Sequence, residues 1–269
     1  MNEPRVSGPF ASRFGPWAVV TGASSGIGRE LALRLAESGL HLVLVSRRRS
    51  LLEELAREVT QTNGVEARVL AVDLGQRDQL RQLVEATEGL DVGLFVGAAG
   101  FGSAGPFIEA ALEQELDMVD VNCRAIAELS WVYARRFVER GGGGLVLLSS
   151  VVGFQGTPYA ANYAATKAYV QSLAEGLRVE LAPHGVAVVA SAPGPIRSGF
   201  AQRAGMRMGL AQTPKAVAQT TLDALGASGT VRPGFLSKLL GYSLATLPRW
   251  GRVRVMGRVM KGMVGPPET

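Results

Sequence analysis

The hydrophobic positions of the chain fall in short, mostly unbroken runs: WAVVT, LVLVS, ARVLAV, VGLFVG, LVLLSS and VAVVASA, each rich in leucine or β-branched residues. A strand with one face in water alternates apolar and polar residues, so runs of this kind predict strands covered on both faces. Between them lie longer charge-bearing segments with helical spacing, over 29–38, 50–62, 77–88, 112–140 and 159–181. This alternation predicts an α/β fold, a parallel sheet with helices on both faces, in a single domain over 16–233. Residues 1–15 read as an N-terminal arm and 234–269 as a C-terminal tail.

The first strand runs into TGASSGIG, Thr21 to Gly28, and then a helix. Gly22, Gly26 and Gly28 let backbone N–H groups approach a pyrophosphate, while the helix N-terminus presents its partial positive charge. The turn Gly22, Ser24, Ser25, Gly26, Ile27, Gly28 is therefore a candidate dinucleotide cradle, with spacing G-x-x-x-G-x-G. At the end of the second strand, where a carboxylate would bind a ribose 2′-hydroxyl, the chain reads Ser46, Arg47, Arg48, Arg49. Guanidinium groups suit a 2′-phosphate, which favours NADP(H) over NAD(H), with Arg47 as the first candidate contact. A solvated helix start is the expectation for at least one of the three arginines.

No charged side chain occurs between Gly141 and Thr166; the first after them is Lys167, one helical turn beyond Tyr163 in ANYAATKAY. Residues at i and i+4 share a helix face, so phenol and ammonium can meet in one space. A nearby cation favours the phenolate and is expected to lower the phenol's ordinary pKa of about 10. The same spacing also fits a packing Tyr beside a surface Lys.

Charge placement changes the picture more than net charge. Of 28 basic and 23 acidic residues, six (Lys238, Arg249, Arg252, Arg254, Arg258, Lys261) and one (Glu268) follow residue 234, so the tail carries the whole excess of +5. A nucleic-acid-binding face on the main domain is therefore not expected. In RWGRVRVMGRVMKGMV, apolar side chains recur along one side and Arg254, Arg258 and Lys261 along the other. This basic amphipathic helix has three destinations: its own domain, a partner subunit or an anionic membrane surface. The one cysteine, Cys123, excludes an internal disulfide and is expected to be a small buried hydrophobe; two distant histidines predict no metal site. The charged, proline-bearing N-terminus does not read as a secretory signal, so a cytoplasmic location is expected, with membrane association left open.

Taken in order, TGASSGIG, the VDL at Val72 to Leu74, GAAG at Gly97 to Gly100, VN at Val121 and Asn122, SS at Ser149 and Ser150, YAATK, and PG at Pro193 and Gly194 resemble the short-chain dehydrogenase/reductase family. The resemblance implies a Rossmann-like doubly wound sheet and a homodimer or homotetramer. It implies that Asn122, Ser150, Tyr163 and Lys167 are catalytic, with Ser149 structural. It also puts Asp73 and Leu74 beside adenine, Ala99 and Gly100 in the cofactor trough, and Pro193, Gly194, Ile196 and Ser198 near the nicotinamide, alongside Tyr163 and Lys167. One departure stands out: the family's usual Asn-Asn-Ala-Gly is here Gly97-Ala98-Ala99-Gly100, without the amides that would brace the fourth strand.

Together these readings predict reduction of a ketone or aldehyde to an alcohol, or the reverse, with a small-molecule substrate. Phe101, Phe107, Phe154 and a Met-containing lid (Phe200, Met206, Met208, Leu210) point to an apolar or lipid-like one. The other function class is an NADP(H)-binding sensor or scaffold without turnover, which cofactor oxidation against a ketone panel distinguishes.

Overall fold

All six apolar runs are strands. The structure, a computed structural model, describes residues 9–197, 199, 204–205 and 211–264. Strands β1 (Trp17–Thr21), β2 (His41–Ser46), β3 (Ala67–Ala71), β4 (Val92–Gly97), β5 (Gly143–Leu148) and β6 (Val186–Ser191) are joined by a two-residue β7 (Thr230–Val231). All pairings are parallel, in the order β3-β2-β1-β4-β5-β6-β7.

Successive strand residues point to opposite faces, and both faces are covered. On one, Ala18, Val20, Leu42, Leu44, Leu94 and Val96 pack with α1 (Pro9–Phe14), α2 (Gly26–Glu37), α3 (Arg49–Asn63) and α8 (Pro214–Ala224). On the other, Val19, Val43, Val45, Phe95, Leu145 and Leu147 meet α4 (Arg77–Ala86), α6 (Ala125–Arg140) and α7 (Ala161–Leu181). The edge strand β3 departs from the expected full burial: Arg68 is exposed, its guanidinium 4.9 Å from the centre of the Trp17 ring.

Two further differences from the sequence reading matter. The helix expected over 112–140 consists of α5 (Leu112–Val119) and α6, joined by a wide π-helical turn, Asp120–Arg124, that contains Asn122. Downstream, where the apolar pattern loosens, the chain forms α8, β7 and then α9 (Phe235–Ala245) and α10 (Arg249–Met263). The arm read over 1–15 includes α1, whose Phe14 is buried in the core. Among the described residues no helix is long and apolar enough to cross a membrane.

The strand order reverses between β1 and β4, and connections from these neighbours leave in opposite directions. A crevice therefore opens beyond their C-terminal ends, the place where doubly wound sheets bind ligands.

Candidate active site

The glycines of the first turn are there because of how closely backbones approach. Gly22 and Gly26 have φ of 69° and 61°, the left-handed region. A Cβ on Gly22 would stand 2.8 Å from Ala98 O and Ala99 N, and one on Gly28 would collide with Gly22 O. Without side chains the turn nests against the end of β4 and starts α2 at the crevice floor. The expected weakness of GAAG is made good from β1: the Thr21 hydroxyl donates to Val96 O (3.1 Å) and accepts from Ala98 N (3.1 Å) and Ala99 N (3.2 Å).

Gly22, Ser24, Ser25, Gly26, Ile27, Gly28, Arg47, Asp73, Leu74, Ala99, Gly100, Pro193, Gly194 and Ile196 all line this one crevice, with Ser150, Tyr163 and Lys167. Ser198 lies outside the described residues, as do Phe200, Met206, Met208 and Leu210 of the expected lid. The three arginines diverge. Arg47, largely exposed, reaches Asp73 at 3.7 Å; Arg49 turns to Glu53 at 3.7 Å on its own helix. Arg48, placed behind Arg47 among the three candidates, donates to Ser24 Oγ (2.8 Å) and Ser25 Oγ (2.6 Å), so its cation lies against the glycine turn.

Tyr163 and Lys167 share the inner face of α7, and both are buried. Gly153 lets the turn Val151–Phe154 rest on that helix: a Cβ there would lie 2.8 Å from Lys167 C and O. This contact brings Ser150 to the Tyr163 side of the crevice, where the Ser150 hydroxyl donates to Pro193 O at 3.4 Å. Ser149 has another partner, donating to Lys167 O at 3.0 Å. Lys167 Nζ donates to Leu148 O at 2.8 Å and lies 5.8 Å from the centre of the Tyr163 ring.

Burial, not the cation, dominates the phenol. Tyr163 is pushed up to about 12 by burial, with the Ser150 hydrogen bond opposing, whereas the sequence predicts a fall. Lys167, its ammonium held on Leu148 O, is not among the groups that set this shift. Burial also lowers Lys167 to about 8, so near neutral pH it remains cationic with its proton loosely held. Burial likewise raises the Cys123 thiol, although that residue is only partly buried.

Asn122 behaves differently from the other three residues of its proposed group. It is fully buried and does not line the crevice. Its Nδ2 donates to Phe101 O (2.8 Å) and Thr166 Oγ1 (3.0 Å), and its Oδ1 accepts from Phe101 N (3.1 Å). It thus fixes the chain after Gly100, where a Cβ would stand 2.9 Å from Asn122 Oδ1 and 3.4 Å from Lys167 Nζ. The wide turn is what aims this amide sideways out of the helix.

The opposite wall comes from the end of the chain. Leu240 of α9 and Met256, Val259, Met260 and Met263 of α10 line the crevice, and Met260 packs in one cluster with Met118, Ala160 and Tyr163. Ser237, fully buried, anchors α9 by accepting from Gly194 N at 2.7 Å. The tail's apolar side therefore closes on its own domain. Apolar spacing in the tail was the available signal for this wall; nothing in the sequence pointed to Ser237. Of the aromatic residues expected at the substrate, Phe101 lines the crevice. Phe107 is exposed, and Phe154 stacks under the Arg232 guanidinium at 4.2 Å.

The family model for short chain dehydrogenases matches residues 16–208. The chain belongs to that family. It is an oxidoreductase acting between CH–OH and C=O groups with a nicotinamide cofactor. Among its relatives is the 7beta-hydroxysteroid dehydrogenase of Clostridium sardiniense, 36% identical over 67% of this chain and 69% of that protein. A very-long-chain 3-oxoacyl-CoA reductase of Podospora anserina is 37% identical over 70% of this chain, spanning 58% of that longer protein. In three dimensions the enzyme is similar to a short-chain dehydrogenase from Sphingobium yanoikuyae in complex with NADPH, with a TM-score of 0.78 and 27% identity over 95% and 98% of the two chains.

Proposed function

We propose that the enzyme interconverts a bulky apolar ketone and its alcohol with NADP(H). The observation carrying this reading is that Ser150, Tyr163 and a buried Lys167 line one crevice whose far wall is leucine and methionine. The cradle fits a dinucleotide, since Cβ atoms on Gly22, Gly28, Gly100 and Gly194 would fill or distort it. Ser24, Ser25 and the α2 N-terminus would hold its pyrophosphate. Arg47 and Arg48 would hold the 2′-phosphate, and Asp73 and Leu74 would flank the adenine. When bound, the nicotinamide gives or takes the hydride.

The protein's own part is to manage charge on the substrate oxygen. The Ser150 and Tyr163 hydroxyls donate to it, and Tyr163 passes its proton across in reduction and recovers it in oxidation. Lys167 supplies a cation on the same helix face, which offsets the cost of a buried phenolate. Asn122 acts through Phe101 and Thr166 as a positioning residue. An apolar groove between α6 and α7, lined by Ala134, Val138, Leu173 and Leu177 and flanked by exposed Trp131, supports a homodimer or homotetramer. The relatives named for steroid and long-chain acyl substrates support the apolar substrate class.

The test is NADPH oxidation, followed by absorbance, against ketones of increasing bulk. Tyr163→Phe should lower kcat by about 10²- to 10⁴-fold while the protein stays folded and binds NADPH. Tight NADPH binding with no turnover of any ketone would mark a sensor instead.

A further inference from the structure

Helices α9 and α10 face two ways. Inward, they give the crevice its apolar wall; outward, they carry a largely exposed surface, touched at its edges by Arg232 on the Tyr242 ring and by the groove that Lys261 lines with Glu109 and Glu115. On α9, Phe235, Leu239 and Tyr242 are 79%, 51% and 66% exposed and recur at i, i+4 and i+7, so they form one stripe. On α10, exposed Trp250, Arg254, Arg258 and Lys261 recur at i, i+4, i+8 and i+11. The turn between the helices adds Leu247. The Arg254 guanidinium sits 5.1 Å from the centre of the Trp250 ring, so aromatic and cationic groups share one patch. Residues 235–264 contain six basic side chains and no acidic one. None of the six is within ion-pairing distance of a carboxylate among the described residues. Arg252 is used locally, donating to Leu247 O (2.8 Å) and Ala245 O (3.0 Å) to hold the turn.

We propose that the outer face of α9–α10 docks on an anionic lipid bilayer, with Leu247 and Trp250 at headgroup depth and Arg254, Arg258 and Lys261 against the lipid charges. An exposed aromatic ring beside arginine and lysine side chains is suited to that boundary, where the ring sits at the headgroups and the cations meet anionic lipid. A second copy is disfavoured as the occupant. A two-fold contact sets the same patch of both subunits face to face, bringing Arg254 and Arg258 against like charges. A neutral protein surface would leave the cations unmatched. Val259, 39% exposed between Arg258 and Met260, lines the crevice, so the docking face adjoins the catalytic one. Entry of substrate directly from the bilayer rests on the apolar-ketone reading; docking does not.

The test is cosedimentation of the full-length protein with phosphatidylcholine vesicles, with and without phosphatidylglycerol, in the absence of substrate. Binding is expected to the anionic vesicles only, and to weaken as salt rises. The double variant Arg254→Glu, Arg258→Glu should bind at least about tenfold more weakly, and Trp250→Ala should also lose affinity. Both should turn over a water-soluble ketone as wild type does, since none of these side chains lines the crevice. The proposal is overturned if wild type stays in the supernatant with anionic vesicles at low salt, or if the charge-reversed protein pellets equally well. It is also overturned if the same substitutions abolish a concentration-dependent self-association seen in sedimentation velocity. Because binding is read without substrate, it stands or falls separately from turnover.

Discussion

From Gly22 to Gly100 the crevice is bounded by main chain that approaches main chain, whereas Leu240, Met256 and Met260 bound it with side chains carried on late helices. The first wall has little tolerance, since atoms added at Gly22 and Gly28 meet peptide groups and one added at Gly100 meets the buried Asn122 amide. The second is made of methionines, which can repack around different shapes. One wall can therefore serve a single invariant partner while the other adapts to a substrate.

Adding a Cβ at Gly22, where φ is 69° and the nearest atoms belong to the backbone, should be the most damaging change. Gly22→Ala is expected to weaken NADPH binding roughly a hundredfold, the equivalent of about 3 kcal/mol, as read by fluorescence titration. An unaltered titration would mean the two walls do not differ as argued. Still on the cofactor side, the double variant Arg47→Ala, Arg48→Ala should raise the NADPH Kd about thirtyfold through lost charge-assisted hydrogen bonds. NADH affinity should stay within about twofold, and equal losses for both cofactors would count against a 2′-phosphate site.

Between the walls, Lys167 gives the comparison a pH signature. Its pKa of about 8 lies below the ordinary value, so the cation is present below that pH and is lost as pH rises through it. Ketone reduction at saturating NADPH should accordingly fall by up to about tenfold per pH unit above 8. In Lys167→Met the remaining slow rate should show no such step. The smallest effect belongs to the adaptable wall: Met260→Ala should raise KM for the bulkiest ketones about fivefold, with the NADPH Kd unmoved. A change in NADPH binding instead would show that α10 supports the cofactor side as well.

The sequence revealed this enzyme unevenly, for physical reasons. Strands covered on both faces leave unbroken apolar runs, so β1 to β6 stood out; β7, at two residues, has no period to read. A π-helical turn keeps nearly the spacing of the helix around it, which hid the break at Asn122. Helix α8 does leave a sign, Thr213 capping Ala216 N with Pro214 in the first turn, but the glycine-rich stretch before it masks the helical period. The choice between Arg47 and Arg48 depends on side-chain paths that adjacent residues do not reveal. The direction of the Tyr163 shift depended on total burial, which spacing along one helix cannot give.

The Thr21 hydroxyl has a mechanical meaning beyond the atoms it touches. Paired strands end at Thr21 and Gly97, and just there the two halves of the sheet part to admit a ligand. A split in a layered material spreads from its tip unless something pins it, and one oxygen shared by Val96, Ala98 and Ala99 is that rivet. The opening can thus be deep without prising β1 from β4.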